Sequence, residues 1–294
     1  MSLIDVVTVL VIGAVVGLLP GLFGVGGGFI MIPALHIFAG VPIPLAIGSS
    51  TCQMLGSVST GMFHRARSRR LSIRLAMTMT GGSYVGLWLG LHFLEWAKRQ
   101  GTWRIDGRTV PKMELVMLSS YLLLLVVLSV VVAAEWWHTR NSLRDAPQGW
   151  LSWVRLPPFA EFDEVGGRSL SIPVVAMLGT LVGFLNGGLG MGGAIILVPS
   201  LVFLIGVPTH EAVTVSLVLS FINGLGAVAG HGWLENVDLR LACLLLASGT
   251  IGAKLGSLIG ERISGRRLRG YFSLVVVAGA VIIGRQLYLV LSGG

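Results

Sequence analysis

The chain has 294 residues, of which 54% are hydrophobic and only 12% charged, with a formal net charge of +8 and a mean hydropathy of +0.85. A soluble domain carries about twice that charged fraction, roughly 25%, so the composition excludes a water-soluble globule and points to several membrane spans in a lipid bilayer. The basic residues fall between apolar runs and form no patch interleaved with aromatics, which argues against nucleic acid as a partner.

Ten apolar segments succeed one another, roughly 4–23, 26–39, 45–64, 72–94 and 114–136, then 172–189, 192–206, 211–230, 239–260 and 270–290. The first is read as a retained span and not a signal peptide, because Asp5 is the only charge ahead of its core and no small-residue cleavage pattern comes after it. The second and seventh are too short to cross alone, since a full span needs about 20 residues. Each lies just after a glycine cluster: Gly24, Gly26, Gly27 and Gly28 in GVGGGFIMIP, and Gly190, Gly192 and Gly193 in GMGGAIILVP. Contiguous glycines are poor helix material, and the prolines Pro33 and Pro199 bend or start the next helical stretch, so both clusters are expected to break a helix at membrane depth. Such a break survives only where it is buried in protein or lines a cavity. The alternative for a membrane glycine is close helix packing, and that is the expectation for Gly82, Gly86 and Gly90 and for Gly252, Gly256 and Gly260, spaced by four.

The third segment, AIGSSTCQMLGSVST, is rich in polar groups, with Ser49, Ser50, Thr51, Gln53, Ser57, Ser59 and Thr60. In the eighth, Ser216, Ser220 and Asn223 are spaced i, i+4, i+7 and share one helix face. Hydroxyls and amides on one face suit an oxyanion, and they equally suit interhelical hydrogen bonds or bonds to the helix's own carbonyls. Asn186, within FLNGGLG, stands where the first half has Pro20. Lys254, within TIGAKLG, is an ionisable residue inside an apolar segment, which makes it a candidate for attracting an anion or a side chain snorkelling to the interface. Glu211 opens the eighth segment, where a carboxylate suits the helix dipole.

The two halves align without a gap at an offset of 166: Gly17, Gly21, Gly24, Gly26, Gly27, Pro33, Gly40, Pro42 and Ser50 recur as Gly183, Gly187, Gly190, Gly192, Gly193, Pro199, Gly206, Pro208 and Ser216. Shared apolar composition cannot hold glycines and prolines in register over that distance, so the chain is a duplication. The expected fold is an all-α polytopic membrane protein of two inverted repeats, about five helical segments each, with broken or short helices after the Gly-rich motifs. The divisions are 1–137, a hydrophilic connector 138–170 and 171–294. Inversion is argued from charge: 64–74, 137–171 and 261–269 hold thirteen Lys or Arg, while 95–113 and 231–240 hold six, which puts the former in the cytoplasm and both termini outside. The basic loop 95–113 runs against that assignment.

No chemistry beyond transport is legible. GLGMGG fits GxGxxG but has no strand before it, and neither cluster continues into Lys-Ser or Lys-Thr. Cys52 and Cys243 lie in apolar runs, and His36, His64, His210 and His231 have no ligand spacing, so no cofactor, metal or enzyme activity is expected. Apart from segment-end acids such as Glu95, Glu114 and Glu135, no carboxylate falls inside a span. An anion leaving an inside-negative cell gains about 2.3 kcal/mol per charge per 100 mV, so an exporter needs no coupling ion.

GVGGGFIMIPAL, the subsequent GVP, AIGSSTCQ, GMGGAIILVPSL and GTIGAKLG together resemble the TauE/SafE family of sulfite exporters, also called the toluene-sulfonate uptake permeases. The resemblance covers both repeats, roughly 10–290, and implies a duplicated helical permease of the inner membrane for small sulfur-containing anions such as sulfite, sulfoacetate and other organosulfonates, or thiosulfate. Gly26, Gly27, Gly192, Gly193 and Lys254 occupy matching motif positions; Ala194, where a third glycine would stand, and the long connector depart from the pattern. The expected binding set is Gly26, Gly27, Gly28, Gly192, Gly193, Ser50, Gln53, Asn186, Ser216, Ser220, Asn223 and Lys254. An anion channel of the same architecture and a proton-coupled importer are the alternatives. A homo-oligomer is compatible with this composition.

Overall fold

The computed structural model describes residues 3–23, 28–68, 73–105, 108–139, 156–162, 167–192, 194–260, 263 and 265–292. In chain order they form α1 (Leu3–Phe23), α2 (Gly28–Ala39), α3 (Ile43–Ser68), α4 (Ile73–Lys98), a hairpin of β1 (Thr102–Ile105) and β2 (Arg108–Pro111), and α5 (Lys112–Thr139). A second hairpin, β3 (Phe159–Phe162) and β4 (Arg168–Ser171), leads into α6 (Ile172–Leu189). Then come α7 (Ala194–Pro199), a π-helical segment (Ser200–Ile205), α8 (Thr209–Trp233), α9 (Leu239–Gly260) and α10 (Gly265–Ser292).

The ten expected helical segments are therefore all present. Among the described residues, five helices are long and apolar enough to cross a membrane, in α5, α6, α8, α9 and α10. Large apolar side chains that a soluble protein would bury stand exposed around the outside, among them Val15, Leu123, Val130, Met177, Ile251, Leu274 and Val281. With lipid as solvent such a surface needs no covering. Trp96, Trp103 and Trp233, near helix ends, are exposed as well, which is where indole side chains settle between hydrocarbon and headgroups.

The duplication seen in the sequence is repeated in the contacts. Helix α1 packs along α9, and in the same way α6 packs along α4; α3 meets α9 as α8 meets α4. Each half thus lays its first helix against the fourth of the other. The glycines spaced by four make this close approach: a Cβ at Gly86 would strike Thr180 O and one at Gly90 would strike Phe184 O. Their counterparts Gly252 and Gly256 face Ala14 O and Leu18 O, the same register one repeat away. Close packing is the role of Gly82, Gly86, Gly90, Gly252 and Gly256, as expected.

The GVP joints match too. Gly40 and Gly206 both take a left-handed conformation, with φ of 62° and 83°. Val41 N donates to Leu35 O at 3.1 Å, and Val207 N to Leu201 O at 2.9 Å. Glu211 sits in the first turn of α8, the position its charge favours.

Two features lie outside an all-helical expectation. Both hairpins are antiparallel, β1 with β2 and β3 with β4. The second belongs to the connector, and it inserts Phe162 into an apolar cluster with Leu75, Met79, Val175 and Leu197. The connector is therefore part of the packed body at this point.

Candidate functional site

Helix α6 ends at Leu189 and α7 begins at Ala194, so Gly190, Met191 and Gly192 are non-helical. All three are buried, with Met191 fully so. Gly190 and Gly192 have φ of 62° and 69°, values at which a side chain would crowd the next carbonyl, and this is what the glycines supply. The break is closed in an orderly way: Gly190 N donates to Asn186 O at 3.0 Å and Met191 N to Leu185 O at 3.4 Å, the pattern of a left-handed helix cap. Tyr121 OH, from α5, donates to Leu189 O at 2.6 Å. Ser220 Oγ, from α8, donates to Gly192 O at 3.2 Å. The backbone groups freed by the break are thus partly satisfied by neighbouring spans, which is how irregular backbone survives at membrane depth.

The start of α2 meets this break. Gly28, the first residue of α2, lies so close to Gly190 O and Met191 that a Cβ there would overlap the carbonyl. A Cβ at Gly190 would meet Ile47 of α3 and Ile32 of α2, and one at Gly192 would meet the Met54 sulfur. Gly28 of the first glycine motif and Gly190 of the second, far apart in the sequence, thus meet at one spot. Gly26, Gly27 and Gly193, expected to belong here, lie outside the described residues.

Two amides lie within about a helical turn of residues at this break. Asn186 occupies the last turn of α6, and Asn223 lies on the face of α8 that carries Ser220. Each is 1% exposed, and neither the amide nitrogen nor the oxygen of either has a hydrogen-bond partner among the described residues. Burying an amide with nothing to bond costs about 1–3 kcal/mol, so such a group in a native fold calls for an explanation, and a ligand is one. Ser83 Oγ of α4 is likewise buried and unpartnered among the described residues.

The expected hydroxyls behave differently. Ser50 Oγ donates to Ile47 O at 3.0 Å, and its counterpart Ser216 Oγ donates to Val213 O at 2.9 Å. Both protons are given to the serines' own helices, in place of a ligand. Gln53 Nε2 donates to Ser57 Oγ at 3.0 Å and lies against Gly249 of α9. Lys254 is exposed on α9, on the side away from Gly252 and Gly256, which face α1. The structure gathers Gly28, Gly192 and Ser220 at the break, with Asn186 one turn before it on α6 and Asn223 one turn beyond Ser220 on α8, and places Lys254 on an exposed face of α9. Tyr121 and Met54 also shape the break; only the hydroxyl of a tyrosine in an otherwise apolar run, SSYLLLLVV, signalled the first of them.

Fold and break together define a multi-pass helical membrane protein in which the start of α2 packs against a buried break between α6 and α7. The chain belongs to the sulfite exporter TauE/SafE family, whose model matches residues 9–283. It is 37% identical over 116 residues to a probable membrane transporter protein of Xylella fastidiosa (strain Temecula1), a match covering 39% of this chain and 44% of that relative, so it spans less than half of that protein's length. It is 22% identical to probable membrane transporter proteins of Methanocaldococcus jannaschii, over 285 residues and 91% of both chains, and of Bacillus subtilis, over 292 residues and 96% of both.

Proposed function

We propose that this protein is a secondary transporter, working as an exporter, that carries small sulfur-containing anions such as sulfite, sulfoacetate or thiosulfate across the inner membrane. The observation that carries the reading is the pair of buried amides, Asn186 and Asn223, without hydrogen-bond partners among the described residues and within about a helical turn of residues at the buried break 190–192. Each amide nitrogen offers two donors, and none of the residues gathered at the break is a lysine or arginine. Neutral donors can strip water from a small oxyanion while holding it loosely enough to let it go, and a carrier has to do both. The family description, sulfite exporter, supports sulfur oxyanions as the substrate class.

The two halves, packed crosswise, serve as inverted repeats that rock about the shared break, opening it to one side and then the other. Net movement of negative charge out of an inside-negative cell is driven by the potential itself. The test is flux of labelled sulfite and sulfoacetate into proteoliposomes under an imposed potential. Saturable flux toward the positive side, with counterflow, is expected. Ohmic current without saturation would mark a channel, and dependence on a proton gradient would mark a coupled importer.

A further inference from the structure

The polar face of α8 does not stop at Asn223. Ser216, Ser220, Asn223, Ala227 and His231 succeed one another at helical spacing and all are buried, His231 completely. At 1.5 Å per residue, His231 lies roughly 12 Å along the axis from Asn223. Neither of its ring nitrogens has a hydrogen-bond partner among the described residues.

A second unpartnered donor sits beside it. Beyond Trp233 the chain turns back through Glu235, at φ 56°, so that Asn236 N donates to His231 O at 2.8 Å. Lys98, the last residue of α4, donates from Nζ to Asn236 Oδ1 at 2.5 Å and to Glu95 Oε1 at 2.5 Å. Because Lys98 takes the amide oxygen, the Nδ2 end of Asn236 is the end left over, and it is buried and unpartnered among the described residues. The surroundings are otherwise closed. The Asn236 backbone presses on Gly48, and Leu91 packs against Gly230. Asp238 Oδ1 is spent on Arg240 N and Leu241 N, while Ser49 Oγ accepts from Asp238 N.

We propose that Lys98, His231 and Asn236 form a second anion site, at the end of the molecule that carries the β1–β2 hairpin, through which the transported oxyanion passes between water and the central break. This rests on the transport reading above. The donors are one ammonium, one amide and one imidazole N–H, enough to hold a pyramidal or tetrahedral oxyanion on one side. Lys98, a quarter exposed, reaches from the water-facing end to the buried amide. The carboxylate of Glu95 holds Lys98 in place and offsets its charge, which keeps the site weak, and a waypoint must be weak to release its ion inward. In the first half the register position of His231 is held by Arg65, near the end of α3, so a basic residue occupies the same turn of both duplicated helices.

The test uses the full-length protein in proteoliposomes, measuring sulfite flux against sulfite concentration together with thermal stability. His231→Leu fills the same space and removes both unpartnered nitrogens. The expected result is a rise of about tenfold in half-saturating sulfite, the worth of one hydrogen bond to a charged group, with stability unchanged or higher. Asn236→Ala and Lys98→Ala are expected to shift it in the same direction. Unchanged half-saturation in His231→Leu and Lys98→Ala, both folded and active, overturns the second site and leaves the transport reading intact. Wild-type protein without sulfite flux overturns both.

Discussion

Past the two glycine clusters the halves of the chain part company. The first continues as one α-helix, Gly28–Ala39, straight through Pro33. The second divides into six α-helical residues, Ala194–Pro199, and a π segment, Ser200–Ile205. The first is also tied down: His36 faces Val41 O through Nδ1 at 3.0 Å and Glu114 Oε1 through Nε2 at 3.1 Å. The corresponding residue in the second half is Val202, which has no such bond to make. The polar groups divide the other way. Asn186 and Asn223 belong to the second half, where the first has Pro20 and Ser57, and Ser57 is taken up by Gln53. Duplication has thus kept the backbone scaffold, down to the glycine contacts and the GVP joints, while the side chains have separated into a braced half and a half that carries the orphaned amides. π segments recur at functional sites, and here one lies between the break at 190–192 and α8, the helix that carries Asn223.

The largest effects are expected where the halves are equivalent. Gly86→Leu and Gly252→Leu each force a side chain into a backbone carbonyl that cannot withdraw, at a cost above the roughly 1–3 kcal/mol of ordinary overpacking. Both should lose folded, monodisperse protein on size-exclusion chromatography. If one variant folded normally while the other did not, the crosswise equivalence of the halves would be broken.

Next comes the difference in polarity. Asn186→Leu and Asn223→Leu are expected to lower sulfite flux at least about tenfold, as each removes donors to a charged ligand, with thermal stability equal or raised. Ser57→Ala, at the counterpart of Asn223, should leave flux nearly unchanged. A Ser57→Ala defect as large as that of Asn223→Leu would return the site to both halves equally.

The brace predicts a smaller effect. His36→Leu should lower stability by about 0.5–1 kcal/mol, the worth of a partly exposed pair, read as a modest drop in melting temperature. Smallest of all, Lys254→Gln, on an exposed face of α9, should change flux less than about twofold. A large loss there would bring the lysine back to the site.

These contrasts mirror what the sequence could and could not express. The segment boundaries, the break at 190–192, the packing role of Gly86, Gly90, Gly252 and Gly256, and the pairing of Ser50 with Ser216 were legible, because glycine, proline and a constant offset constrain the backbone directly. Asn186 and Asn223 stood out because an amide in an apolar run is conspicuous. Lys254 was conspicuous for the same reason, yet the rotation of α9 turns it outward. When both faces of a helix are apolar, one facing lipid and one facing protein, the pattern does not say which way it turns. Nor could it say that His36 would meet Glu114, 78 residues away, or that a serine hydroxyl would choose its own helix's carbonyl. The hairpins were hidden in stretches whose polarity read as linker, and the burial of Phe162 depends on the helices it enters.

The most direct test of the central claim is binding without transport: the melting temperature of the purified protein with and without saturating sulfite, in wild type and in Asn223→Leu. A clear sulfite-dependent rise is expected in wild type, because a ligand that binds only the folded state stabilises it, and no rise in Asn223→Leu. An equal rise in both would contradict the claim, since the anion would then bind somewhere that the buried amide does not reach.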